Sequence, residues 1–187
     1  MKRLLLAALV LSVGAADSPA RAGQLESIAR TATVMVDGDV CQRIVTPRAA
    51  KYLLKTLTGD PSWEAGDNYD VDGASFLLTK KTLMRLSRLA DFPVDVNLWL
   101  PVTPDHAFIH IAIRNRYEMS QFWPWGKLTQ ETPAVMRTVL REGKPVTVPG
   151  KDGFLSVLAP VRNSLDEIVG LVEVATKTPV DARENVK

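Results

Sequence analysis

One cysteine and two histidines in 187 residues leave little material for redox or metal chemistry. Cys41 has no internal partner for a disulfide, there is no C-x-x-C-H for covalent haem, and no second cysteine could complete a metal cluster. Cys41 could pair with another chain or lie buried, and burial is the expectation, because free cysteine is among the most often buried residue types. His106 and His110 would share a metal-binding face on a helix, but on a strand they stand about 13 Å apart, and neither a metal nor a cofactor is expected. No G-x-S-x-G or H-E-x-x-H motif occurs, Ser156 and Ser164 lack a recognisable base, and the chain is not expected to be an enzyme.

Long apolar runs are missing as well. The longest, Leu4 to Val13, has about ten residues where a membrane-spanning helix needs roughly 20. It follows Lys2 and Arg3 and precedes Ala20-Arg21-Ala22, the order of a secretory signal peptide cut after an A-x-A site. Residues 1–22 therefore read as a leader. No cysteine follows the cut to carry a lipid, so the product is expected to be a periplasmic or secreted protein that does not span a membrane. Cleavage removes three of 23 basic residues (Lys2, Arg3, Arg21) and one of 21 acidic residues (Asp17), leaving 20 of each. With no net charge, the cleaved chain taken as a whole offers no attraction to nucleic acid or to an anionic membrane.

What remains is long enough for one substantial core, a single domain over residues 23–178 with a polar tail at 179–187. From Gln24 to Leu57 apolar residues recur at helical spacing, interrupted by Asp37-Gly38-Asp39 and by Pro47, which predicts two or more helices, one starting at Pro47 behind the capping residue Thr46. Gly59 to Gly73 is rich in Gly, Asp and Asn and reads as loop, followed by a helix over Leu77 to Leu89. After Pro93 the period changes to two. Val94, Val96, Leu98 and Leu100 alternate with Asp95, Asn97 and Trp99, and Ile109, Ile111 and Ile113 with Phe108, His110, Ala112 and Arg114, predicting two half-buried strands. Residues 119–127 form an aromatic-rich loop, Pro133 to Glu142 a short helix closed by Gly143, and "KPVTV", "GFLSVLAPV" and "EIVGLVEVAT" three further strands. Helices followed by a five-strand antiparallel meander with a helical insertion make an α+β domain.

The stretch "GFLSVLAPVRNSLDEIVGLVEVAT", with "LREGKPVTV" before it, resembles the closing hairpin of Cache domains, the PAS-like extracytoplasmic sensor modules. The resemblance covers residues 138 to 176 in detail and the rest of the chain in architecture. It implies a PAS-like central antiparallel sheet with N-terminal helices packed on it, a small molecule held against one sheet face, and occupancy relayed through the N-terminal helix. Members of that family commonly sit between two membrane helices. This chain ends in the polar "KTPVDARENVK", so a sensing role requires a partner such as a membrane receptor or transporter.

Candidate pocket residues are Trp99, His110 and Arg114 on the mixed face of the sheet, with Tyr117, Trp123 and Trp125 in the covering loop. An arginine and a histidine four residues apart on one strand point the same way and could meet an anionic group such as a carboxylate. The same residues also fit an amphipathic strand with a solvated outer face, and the loop aromatics fit a contact surface for another protein, which would make the chain an interaction module without a ligand. "NYDVDG", residues 68 to 73, imitates the start of a calcium loop, but its twelfth position is Thr79 where a bidentate glutamate is required, and a solvated acidic turn is the expectation.

Overall fold

Local chemistry sets where the first helices begin. The computed structural model describes residues 17–56, 71–123 and 127–178. Helix α1 (Asp17–Met35) stops before Asp37, whose carboxylate accepts the Val40 N–H at 3.1 Å and so caps α2 (Gly38–Ile44). α3 (Pro47–Thr56) starts as expected, with Thr46 Oγ1 accepting the Ala49 N–H at 3.1 Å. Most of the expected loop before the next helix lies outside the described residues. At its end Val71 bridges to Val45, and Asp72 accepts the Ser75 N–H at 2.8 Å. α4 (Gly73–Leu86) therefore begins four residues earlier than the apolar pattern predicts, and a 3₁₀ turn (Ser87–Leu89) extends it. Asp72, read as part of a calcium-like loop, is a helix cap; Asn68 and Asp70 lie outside the described residues.

Six strands follow instead of five: β1 (Asp95–Pro101), β2 (Phe108–Ile113), β3 (Thr129–Glu131), β4 (Val146–Pro149), β5 (Phe154–Arg162) and β6 (Ile168–Lys177), with α5 (Ala134–Glu142) between β3 and β4. The additional strand, β3, was hidden in the sequence because three residues are too short for a period to show. All pairings are antiparallel and the order is β3-β2-β1-β6-β5-β4, so the sheet is not the continuous meander expected. Two three-strand meanders lie side by side, joined where β1 pairs with β6, and the connection through α5 carries the chain from one edge to the other. Gly143 ends α5 in the left-handed region (φ 67°), its N–H donating to the Val139 carbonyl at 2.9 Å.

Each face of the sheet has its own apolar core. On one, α1, α2 and α4 cover Val96, Leu98, Leu100, Val157, Val172 and Val174, and Cys41 is buried among them. Burial raises its thiol pKa to about 12, so it stays protonated and unreactive. On the other, α5 and the chain between β2 and β3 cover Trp99, Ile109, Ile111, Leu158 and Leu171. β1 and β2 are thus buried on both sides, not half-buried as their alternation suggests.

The β5–β6 hairpin is tied to α2. Asp39 accepts the Ser164 N–H at 3.0 Å and its hydroxyl at 3.2 Å. This contact needs glycine at position 38, because a Cβ there would stand 2.2 Å from the Arg162 carbonyl oxygen and 2.4 Å from its carbon. Gly38→Ala must displace backbone and is expected to cost about 2–3 kcal/mol in chemical denaturation. Gly73→Ala, with nothing within 4 Å of the added methyl, is the control and should be tolerated.

Candidate functional site

The face opposite the N-terminal helices carries a row of polar side chains that an open sheet would present to solvent. Here the chain leaving β2 lies over them. Asp95 accepts the backbone N–H of Tyr117 at 3.0 Å and that of Met119 at 2.8 Å. Asn97 accepts the Asn115 N–H at 3.1 Å and donates to the Met119 carbonyl at 2.7 Å. Trp99 donates its indole N–H to Glu173 Oε2 at 3.0 Å, and Ser156 donates its hydroxyl to Oε1 at 2.9 Å. Side chains of Ser120 and Asn97 also bond Glu173, so sheet and loop share one buried carboxylate.

These carboxylates are placed against their ordinary chemistry. Burial raises the pKa of Glu173, and its four hydrogen bonds oppose that rise only in part. Burial likewise raises Asp95, opposed by the backbone N–H groups of Met119 and Tyr117 and by the charge of Lys80. Lys80 itself, half-buried on α4, has its pKa lowered by desolvation and donates its ammonium to the Arg114 carbonyl. The segment from 114 to 122 is further held by Gln121 donating to the Val148 carbonyl at 2.9 Å and by Gln130 donating to the Phe122 carbonyl at 2.7 Å.

Of the six residues singled out in the sequence, three share this side. Trp99 is fully buried in the α5-side core and Trp123 packs against the same cluster. The Arg114 guanidinium carbon sits 4.4 Å from the centre of the Trp123 ring, inside cation–π range. Arg114 keeps about a third of its side chain exposed (33%), with Glu118 as ion-pair partner at 3.6 Å.

The expectation that His110 and Arg114 point the same way does not hold. Trp99 pairs with Ile111 and Leu100 with His110, which puts His110 on the opposite face from Trp99. The register shifts between Leu98 and Trp99, leaving Ala112 as an extra residue in β2, so Ile113 joins Leu98 on the helix-covered side and the parity of position 114 is reversed. His110 is fully buried, with Nδ1 2.9 Å from Thr129 Oγ1. Burial lowers its pKa from 6.5 to about 3, the charge of Arg114 adding to the effect and a hydrogen bond with the Leu128 backbone opposing it.

Tyr117 is 48% exposed and lines a different recess, a groove of about 410 Å³ with Met84, Arg88, Phe92 and Arg116. Trp125 lies outside the described residues. Sequence reasoning missed Asp95, Asn97, Ser120, Ser156 and Glu173 as a group. Its available signal was Glu173, a single acid inside the apolar run Val172 to Ala175, because a charge in a strand buried on both faces must be hydrogen-bonded.

Comparison of the chain with protein-family models and with curated proteins finds no match. The described residues form an α+β fold with helices packed on a six-strand antiparallel sheet. Among the described residues no helix is long and apolar enough to cross a membrane.

Proposed function

We propose that this domain is an exported, free-standing sensor module that binds a small molecule bearing an anionic group at the Arg114–Trp123 edge of the sheet and reports its occupancy to a membrane receptor or transporter. The observation that carries the reading is the partly exposed Arg114 stacked on Trp123, at the root of a segment whose backbone is fastened to sheet side chains. A carboxylate bound by the guanidinium competes with Glu118, and Lys80 couples the Arg114 carbonyl to α4. Occupancy can then favour one packing of helices on sheet over another, to the extent that the ligand binds the two packings differently.

Export is in keeping with α1. Every buried apolar residue of that helix, from Leu25 to Ala32, lies after Ala22. Cleavage there would forfeit the stacking of Arg21 on Phe92 at 5.1 Å and its bond to Thr178 at 3.4 Å, both minor.

The test is calorimetric titration of small carboxylates and phosphates into the chain beginning at Gly23. Arg114→Ala is expected to weaken the best ligand by about tenfold or more, since charge-assisted bidentate bonds are the strong ones. Tyr117→Ala and His110→Gln should leave affinity unchanged. Unchanged affinity in Arg114→Ala would remove this edge as the binding site. The alternative of an interaction module resting on the aromatic loop has less support, because Trp123 is partly buried against the core and its ring carries the Arg114 guanidinium.

A further inference from the structure

The basic residues of the chain are not spread evenly. Between Gly73 and Ala90 there are four, Lys80, Lys81, Arg85 and Arg88, and no acidic residue, although the chain beyond residue 22 is neutral as a whole. At the 100° per residue of an α-helix, Ser75, Thr79, Leu83 and Leu86 fall on one side of α4, and these are its buried residues. The opposite side collects Lys81 and Arg85, both exposed, with Leu77 (57% exposed) and Met84 (37%), Leu78 (57%) lies on its flank, and Arg88 and Leu89 (54%) are exposed in the 3₁₀ turn that follows. Lys80 alone turns inward, to the Arg114 carbonyl.

Single exposed leucines are ordinary on a protein surface. Leu77, Leu78 and Met84 on the outer half of one helix, interleaved with Lys81 and Arg85 and followed by exposed Arg88 and Leu89 in the turn after it, are a different pattern. At the C-terminal end of this face Met84 and Arg88 also line the groove of about 410 Å³, to which Arg116 adds a second guanidinium and Asp91 the one carboxylate.

We propose that the outer face of α4, with the 3₁₀ turn after it, docks this protein on an anionic phospholipid surface, Leu77 and Leu78 entering the headgroup boundary while Lys81, Arg85 and Arg88 meet lipid phosphates. Charge complementarity selects the sign of the surface. The character of the face selects a membrane over an acidic protein. A convex flank of flexible aliphatic chains suits a fluid interface, whereas a protein partner binds through shape-matched pockets for a few central anchors. Docking this way lays the domain on the bilayer without crossing it, and it is independent of the small-molecule site.

The experiment is vesicle flotation with the chain beginning at Gly23, which retains every described core residue. The protein is expected to float with phosphatidylglycerol vesicles at low salt, to be released as salt is raised, and to ignore pure phosphatidylcholine. Loss of each cation should weaken binding about fivefold, so the double variant Lys81→Gln/Arg85→Gln should bind about 25-fold more weakly. Leu77→Ser/Leu78→Ser should also weaken binding while keeping the salt dependence. All four positions are exposed, and unchanged thermal unfolding verifies that the variants fold. Absence of binding to anionic vesicles, equal flotation of the glutamine variant and the parent, or affinity for an acidic protein without vesicle binding would each overturn the proposal.

Discussion

Glu173→Ala is expected to destabilise the domain by about 2–4 kcal/mol, because it strands buried neutral donors at roughly 1–3 kcal/mol each. The carboxylate is fully buried at the centre of the sheet and takes hydrogen bonds from Trp99 at 3.0 Å and Ser156 at 2.9 Å. Alanine leaves both donors without their acceptor in a place that water does not reach, removes the bond to Ser120, and opens a void beneath the covering segment. Glu173→Gln keeps one acceptor oxygen and the shape. The Ser156 hydroxyl can rotate to accept from the new amide, so this variant should lose only about 1–2 kcal/mol. Urea denaturation gives both values. An alanine variant within about 1 kcal/mol of the parent would mean that the network does not hold loop to sheet.

Acidification should expose His110. Its pKa in the folded protein is lowered to about 3, against an ordinary value of 6.5. Below the ordinary value the unfolded chain gains a proton that the folded one refuses, so stability falls as pH drops from 6.5 and continues to fall until the folded pKa is reached. At pH 5 the loss from this group is roughly 2 kcal/mol. Asp95 and Glu173 act in the other direction. Their pKa values are raised in the fold, so the stability they forfeit at neutral pH returns as pH falls toward their ordinary range. The informative comparison is therefore with His110→Gln, which removes the imidazole and leaves both carboxylates in place. The stability gap between parent and variant should move in the variant's favour by roughly 2 kcal/mol between pH 7 and pH 5. Parallel stability curves would show that the histidine reaches solvent.

Much of the architecture was legible because it rests on local signals. Thr46 before Pro47, Gly143 after α5 and the alternation in β1 each encode a boundary or a face in a few residues. The strand order was not legible, because whether β6 lies beside β5 alone or also beside β1 depends on how α5 carries the chain across the sheet. Burial of both faces was likewise invisible in β1 itself. Asp95 and Asn97 look like solvent-facing residues until the backbone of residues 115–119 is laid over them.

The site was read less well than the fold, for a physical reason that one residue carries. Ala112 is an extra residue opposite the Leu98–Trp99 step, and since Ile111, Ala112 and Ile113 are all apolar, the bulge leaves no mark in the hydrophobic pattern. It nevertheless reverses every side chain that follows, which is why Arg114 comes to lie with Trp123 while His110 packs on the other face. Glu173 was the opposite case, a signal present in the sequence that only the rule on buried charge could interpret.

A small molecule held at the Arg114–Trp123 edge should survive native mass spectrometry of the gently purified protein, parent and Arg114→Ala in parallel. The parent should carry a reproducible excess mass that disappears on denaturation and is missing from the variant. A bare parent chain, or the same excess on both proteins, would contradict it.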